Sequence, residues 1–585
     1  MKRWKRAALV TVMTVLIFAL GTLSAYACSG VYVGKKASSD GSAIIARSED
    51  QSQGIVNKRW QVVDRVENTP GRYLEVNGAG TKFDLPDTTY KYTMNQDFSG
   101  SYGDYAGCCV NENGVAVTAT VSASTNKAIR AKDPLNGDVE EAMMANYIAS
   151  VATSAKDGVQ KLGALIAARG ENEANVIMLV DKNEAWYMEM YTGHHWAAVK
   201  MPEDKVAVFG NNFMLGTDYD PNDPSSFLCS NGLFDYVKTA GEKGEDLGVY
   251  DDVGGNKKLN LAKTFGSGPK AANQTRNWGG HHFLAPSTAG VYDANKYYDL
   301  FYQPDAKVSP MDVLALMRYR LEDTNLKGQR SIATEASSQV HMLQVFSDMP
   351  AACDTLEWIC LGNAEHSVFV PSWSGITDVI DTYKTSQYMN YDPDGAYWKC
   401  KRIDTLAEQN RGFLGDSVKK VFATYETMAY NKLMADKVNV QAKYASSRAE
   451  GDAYVTDKSK DMAPEFFDQA DKLYEDLLYH MMWYTGKTDP PSFNALINLS
   501  YVAKSCGLNL TESGGVYTLS SGGKDYKFGV GDSFCMDGTT KVDYNPDPDQ
   551  DQADYLVNAL YKGDLYVPMS VVTKADLVKL SSHLS

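Results

Sequence analysis

Alternating apolar and polar positions mark the first readable element of the chain. Cys28-Ser-Gly-Val-Tyr-Val33 alternates as a strand, and Ser42-Ala-Ile-Ile-Ala-Arg47 repeats the pattern after a short gap. Ser38-Ser39-Asp40-Gly41 carries turn chemistry, so residues 28–47 read as a β-hairpin. Its register stays open: a loop centred near residues 37–38 sets Arg47 opposite Cys28, and a tight Asp40-Gly41 turn shifts that pairing. Further strands are predicted at 114–121, 175–180, 185–191 and 205–209. Helical spacing predicts helices at 139–152, 156–169 and 310–319. Strand runs interleaved with helix pairs point to α+β layers. From about residue 405 to 480 the pattern is helical, strongest at 416–435 and 463–483. Asp489-Pro490-Pro491 breaks it and reads as a linker. Residues 493–585 read as a small separate module, with strands at 514–519 and 524–530. An acidic loop at 544–554 then precedes an apolar segment at 565–572.

Composition narrows the picture. The 585 residues are 44% hydrophobic and 22% charged, which excludes disorder, collagen and coiled coil as the main architecture. The formal charge is −16, and basic residues cluster only within the first six positions. Nucleic-acid binding is therefore not expected, since it depends on clustered cations. Lys2, Arg3, Lys5 and Arg6 form a basic start, residues 7–20 are apolar, and Ala25-Tyr26-Ala27 is a small-x-small cleavage pattern. Residues 1–27 are expected to be a signal peptide, and the remainder a strongly acidic protein, secreted or at the cell surface. No other segment approaches 18 consecutive apolar residues, so no membrane span is expected. The nine cysteines are an odd number, with Cys353–Cys360 and Cys506–Cys535 the expected pairs. There is no C-x-x-C pair for zinc.

Cleavage after Ala27 would leave Cys28 with both a thiol and a free α-amine. An α-amine has an ordinary pKa of about 7.7–8 and can serve as a base near neutral pH. Nucleophile and base would then lie within one residue, with no histidine required. Arg47-Ser-Glu-Asp50 closes the hairpin: a cation beside a thiol favours the thiolate, and a carboxylate can orient the thiol or hold the ammonium. The competing reading, a cysteine buried merely as a small apolar residue, fits an arbitrary position better than this one.

The stretch from Cys28 to Ser42, with Ile45-Ala-Arg47-Ser-Glu-Asp50, resembles the start of the C69 dipeptidases. Those are N-terminal-nucleophile hydrolases similar to penicillin V acylases and conjugated bile acid hydrolases. Asn111-Glu-Asn-Gly-Val-Ala-Val, Val180–Glu189, Gly210-Asn-Asn-Phe213, Val340-His-Met-Leu-Gln344 and Ala396-Tyr-Trp398 extend the resemblance over roughly residues 28–430. It implies Cys28 as nucleophile and base, Arg47 and Asp50 as the pair framing it, Asn211 as an oxyanion donor and Arg276 as a further active-site arginine. The acylases carry an asparagine or tyrosine after the Asn-Glu-x-Gly strand, where this chain reads Val117-Thr-Ala-Thr-Val-Ser122. Tyr501-Val-Ala-Lys-Ser-Cys-Gly507, 514–519 and Tyr566-Val-Pro-Met569 resemble the small module named after the copper amine oxidase N-terminus; nothing there supplies copper ligands.

Other residues read more plainly. His194-His195 lacks a third metal ligand at useful spacing and fits a strand end, and His341 fits a core histidine. Ser124-x-x-Lys127 and Ser417-x-x-Lys420 lack the companion motifs of penicillin-binding proteins. The expectation is an α+β N-terminal-nucleophile αββα sandwich with a helical extension and a small C-terminal α+β module. Its divisions are 1–27 signal peptide, 28–487 peptidase domain and 488–585 accessory module. The expected activity is that of an exported cysteine dipeptidase acting on small peptides through a thioester, without metal or organic cofactor. Homo-oligomerisation and a cell-surface contact through the C-terminal module are compatible with it. Two alternatives stand beside it: an N-acyl amide hydrolase, and a surface binding protein lipidated at Cys28.

Overall fold

A computed structural model describes residues 28–51, 57–76, 81–97, 105–385, 390–486, 492–544 and 556–583. The expected signal peptide and the Asp489-Pro490-Pro491 linker lie outside these residues. Strand Asn175–Val180 explains the layering. Val176, Met178 and Val180 enter one apolar cluster, while Ile177 and Leu179 enter another. Successive side chains point to opposite faces of a strand, so this continuous apolar run is covered on both sides.

The second of those clusters is closed by two helices. Met143, Met144 and Ile148 of Glu141–Val151, with Leu162 and Ile166 of Ala155–Arg169, pack on Ile177, Leu179, Trp186 and Met188. The sheet beneath them runs Phe227–Cys229, Trp196–Lys200, Ala185–Met190, Asn175–Val180, Ala116–Thr118, Ala106–Asn111, Tyr92–Asp97 and Lys58–Val63, with Val121–Ser122 pairing on Asn175–Val180. A six-stranded sheet faces it: Val206–Phe209, Ser29–Val33, Ala43–Asp50, Ser337–Val345, Thr355–Leu361 and Phe369–Trp373. All of its pairings are antiparallel. Helices Asp416–Ser446 and Arg448–Trp483 cover its outer side at Phe369–Trp373. There Arg318 donates two bonds to Glu426, at 2.7 and 2.6 Å, and Glu426 also accepts the Phe369 N–H at 2.8 Å. Helix, sheet, sheet and helix stack as an αββα sandwich.

The hairpin forms with Ser29 opposite Ser48 and Gly30 opposite Arg47, so its loop is centred one residue later than the first option. Arg47 pairs with Gly30 and not with Cys28. Strand 114–121 is interrupted into Ala116–Thr118 and Val121–Ser122, and the predicted helix at 463–483 is the second half of Arg448–Trp483. All nine cysteines are free. Cys353 ends a turn ahead of strand Thr355–Leu361, and extended backbone at about 3.3 Å per residue carries Cys360 roughly 15 Å along it, beyond disulfide reach. Cys506 ends helix Leu499–Cys506, whereas Cys535 is buried in strand Phe534–Asp537.

The C-terminal strands continue the main core. Leu496–Asn498 lies against helix Arg448–Trp483, where Gln469 donates to Leu496 O at 2.9 Å and accepts the Asn498 N–H at 3.0 Å. Tyr501 stacks on Tyr425 at 4.7 Å. No helix among the described residues is long and apolar enough to cross a membrane.

Candidate active site

Cys28 stands immediately before strand Ser29–Val33, beside the central strand Ala43–Asp50, and its side chain is fully buried. Arg47 Nη2 donates to its Sγ at 3.3 Å. The rest of that guanidinium is held tightly: Nε donates to Thr120 O at 2.8 Å, Nη1 to Glu49 at 3.3 Å and Nη2 to Glu141 at 2.7 Å. Four acceptors around one planar cation fix both its place and its charge. Burial nevertheless pushes the Cys28 thiol up to about 12; Arg47 opposes that rise, while Glu141 and Asp50 add to it. The thiol is therefore protonated at neutral pH and needs a base to become nucleophilic.

A second arginine approaches from the other side. Arg276 lies on helix Ala271–Leu284, and its Nη1 donates to Cys28 O at 2.5 Å. Its Nη2 donates to Asn211 Oδ1 at 2.9 Å and to Asn273 Oδ1 at 2.8 Å. Gly210 makes this approach feasible, because a Cβ there would lie 2.8 Å from the guanidinium carbon. Asn211 donates to Ser122 O at 2.8 Å and accepts the Asn273 amide on its own carbonyl, also at 2.8 Å. Asn211 is only partly buried, whereas Cys28, Arg47 and Arg276 are almost wholly enclosed. The loop after it is pinned by Glu189, which accepts the N–H groups of Met214 and Leu215.

Asp50 sits at the far end of the same strand as Arg47. It accepts Ser337 Oγ at 2.6 Å and Ser48 Oγ at 3.3 Å, and it pairs with Arg330. Ser48 Oγ also accepts the Ser29 N–H at 3.1 Å, linking Asp50 to the residue after the thiol. The structure thus brings together Cys28, Arg47, Asp50, Asn211 and Arg276, all five of the predicted site residues. The stretch lacking an asparagine or tyrosine contributes carbonyls instead, Thr120 O to Arg47 and Ser122 O to Asn211.

Sequence reasoning missed Glu49, Glu141, Arg330 and Asn273. Glu49 lies inside the Arg47-Ser-Glu-Asp50 motif and alternates to the Arg47 side of the strand, so period two could have found it. The others arrive from helices and loops far along the chain. The remaining candidates take ordinary roles. His341 is buried opposite Arg47, bonded to Gln339 at 3.1 Å, and burial with Arg47 nearby keeps its pKa well below the usual range. His194 bonds to Asp133 at 2.7 Å and His195 to Ser230 at 3.0 Å, at a turn between strands. Ser124 accepts Lys270, and Ser417 accepts the Ala495 N–H.

Two antiparallel sheets lie between helical layers, with a cysteine at the head of an inner strand and arginines on both its thiol and its carbonyl, the site of a cysteine peptidase. The family model of peptidase family C69 matches residues 27–423, and the chain belongs to that family. It is similar to a probable dipeptidase B of Streptococcus pyogenes serotype M1, 30% identical over 426 residues, covering 69% of this chain and 82% of that protein. It is also similar to a probable dipeptidase A of the same serotype, 29% identical over 434 residues, covering 71% and 89%. Among solved structures, it is similar to a mutant conjugated bile acid hydrolase from Clostridium perfringens, with a TM-score of 0.22 and 11% identity over 62% of this chain and 97% of that one.

Proposed function

We propose that this protein is an exported dipeptidase in which Cys28, exposed as the first residue by removal of residues 1–27, is both nucleophile and base. The carrying observation is the Cys28 thiol held 3.3 Å from Arg47 while Arg276 grips the same residue's carbonyl. A freed α-amine takes the Sγ proton, and the sulfur attacks the scissile carbonyl of a dipeptide. The S–C bond forms as the carbonyl oxygen becomes an oxyanion. Asn211, held in place by Arg276 and Asn273, is the residue we assign as side-chain donor to that oxygen. Collapse breaks the C–N bond, with the proton passing from the ammonium to the leaving amine. Water, deprotonated by the same amine, then cleaves the thioester and releases the first amino acid. Asp50, fixed by Ser337 and Arg330, sets the end of the strand beside the thiol.

The test compares a protein beginning at Cys28 with one carrying a single additional Ala before it, each verified by intact mass. An acylated nitrogen cannot accept the thiol proton, so the extended form is expected to be inactive on dipeptides. Cys28→Ala is expected to be inactive in either form. Equal activity of the two forms would exclude this mechanism. A diacylglyceryl mass on the exported protein would exclude a free Cys28.

A further inference from the structure

Beside the thiol lies a group of carboxylates larger than its cations require. Glu49 is matched by Lys58 at 2.5 Å and by Arg47 at 3.3 Å. Glu141 shares Arg47 with it, and Glu173 accepts the Glu141 N–H at 2.8 Å. Three carboxylates thus meet two cations. Burial and the neighbouring Glu173 push Glu141 up to about 7, against the pull of Arg47, and Glu173 is raised as well. Such a group is short of one positive charge.

Glu141 is also placed to meet a ligand. Its Oε1 accepts Arg47 and the Tyr105 hydroxyl, each at 2.7 Å. Its Oε2 is approached by Ser122 Oγ at 3.4 Å. Arg47 and Cys28 are sealed, yet 12% of the Glu141 side chain reaches the surface. It stands two hydrogen-bond lengths from Sγ, through Arg47. In a dipeptide, the α-nitrogen is two bonds from the carbonyl carbon that the sulfur must reach, so it too lies within a few ångströms of the thiol at attack.

We propose that Glu141, backed by Glu173, receives the free α-ammonium of the substrate through Oε2 and thereby selects dipeptides with an unblocked amino terminus. The ammonium supplies the missing positive charge and fixes the scissile carbonyl against Sγ. An N-acylated substrate brings no cation and leaves a proton on the carboxyl group as its only compensation. This inference rests on the dipeptidase reading of Cys28 and adds the group that recognises the substrate's amine.

The experiment uses the protein beginning at Cys28 and three substrates: alanyl-alanine, its N-acetyl derivative, and propionyl-alanine, which lacks only the amine. The wild type should favour alanyl-alanine over both others by about a hundredfold in kcat/KM, the scale of a buried charge-assisted hydrogen bond. Glu141→Gln should raise KM for alanyl-alanine by about tenfold to a hundredfold more than it affects either blocked substrate, so the preference collapses. Glu173→Gln should lower the preference in the same direction by a smaller factor; it serves if Glu141→Gln does not fold. A wild type that cleaves propionyl-alanine as well as alanyl-alanine overturns the proposal with no variant needed. So does a Glu141→Gln protein that loses activity equally on all three, which marks a role in holding Arg47 alone. Cleavage of the blocked compounds but not of alanyl-alanine overturns the dipeptidase reading together with the proposal.

Discussion

Arg47 reaches Cys28 along a diagonal of the hairpin, from a position paired with Gly30. Phe209, Gly30, Arg47 and His341 form one cross-strand row, and a Cβ on Gly30 would lie 2.3 Å from the Phe209 ring. The two-residue offset between Gly30 and Cys28 keeps Arg47 on the face of the thiol, because strand periodicity is two. A guanidinium is long enough to close that diagonal while still meeting Thr120, Glu49 and Glu141.

Arg47→Lys should therefore fold yet lose most activity. An ammonium is a point donor and cannot span the four acceptors that the planar fork reaches. A loss in kcat of about 10²-fold or more is expected, with slower alkylation of Cys28 by iodoacetamide at neutral pH. Arg47→Ala should instead destabilise the fold by about 3–5 kcal/mol, because it leaves buried Glu49 and Glu141 short of a partner. Thermal melting beside both assays separates the two effects. Wild-type turnover in Arg47→Lys would show that the contact with Sγ is incidental.

Asn211 carries the second activity prediction. Replacing it by alanine removes the amide from a loop already fixed by Glu189, so the fold should survive. Loss of an oxyanion donor lowers kcat by about 10²–10³-fold, with KM changed little. A variant that raises KM at unchanged kcat would place Asn211 in ground-state binding instead.

The chemistry of the site was more legible in the sequence than the scaffold that holds it. The hairpin shows because its partners are adjacent, and its register stayed open because Asp40 organises the turn through bonds that no alternation reveals: its Oδ1 accepts Ser38 Oγ, Ser42 Oγ and the Ser42 N–H, at 2.7, 2.6 and 3.1 Å. Strand Ser337–Val345 shows no alternation, since Gln339, His341 and Gln344 are buried beside apolar residues. The side-chain amides of Gln339 and Gln344 are met by Glu49 and Asp40 from the neighbouring strand and turn, which no local pattern reveals. Helix Arg448–Trp483 lies almost wholly within the stretch read as helical, and it runs on through its interior Pro464. Glu141 and Arg330 meet Arg47 and Asp50 across 94 and 280 residues, distances over which spacing carries no signal.

Glu49 makes the acid limb of stability predictable. Burial alone would raise its pKa, but Lys58 and Arg47 outweigh burial and hold it down at about 2. A carboxylate depressed below its ordinary value of about 4.3 stabilises the fold above that value. That stabilisation is lost as pH falls toward 2. Melting temperature should drop between about pH 4.5 and pH 2, and Glu49→Gln should flatten this limb while lowering stability at pH 7. A limb of unchanged steepness in the variant would assign the acid loss to other carboxylates.

The last prediction concerns the C-terminal strands. Read from sequence, residues beyond 487 are separable; in the fold they cover apolar surface of the helical layer. Phe493 N–H donates to Phe413 O at 2.7 Å, Ala495 N–H to Ser417 Oγ at 2.8 Å, and Met569 packs by Thr424. Truncation after Gly486 would uncover Tyr425, which is almost wholly buried, and would leave Gln469 without its two backbone partners. Burying large side chains contributes about 1.5–3 kcal/mol each, so the truncated chain should melt well below the full one. None of the five predicted site residues accepts or donates a bond described above to a residue beyond 486. The fraction that folds should therefore keep its kcat on a small dipeptide. Activity per folded molecule, with the folded fraction measured by titrating Cys28 with iodoacetamide and by near-ultraviolet dichroism, is the deciding quantity. An unchanged melting temperature would show that the C-terminal strands add nothing to the core, and a lost kcat at full folded fraction would show that they reach the site.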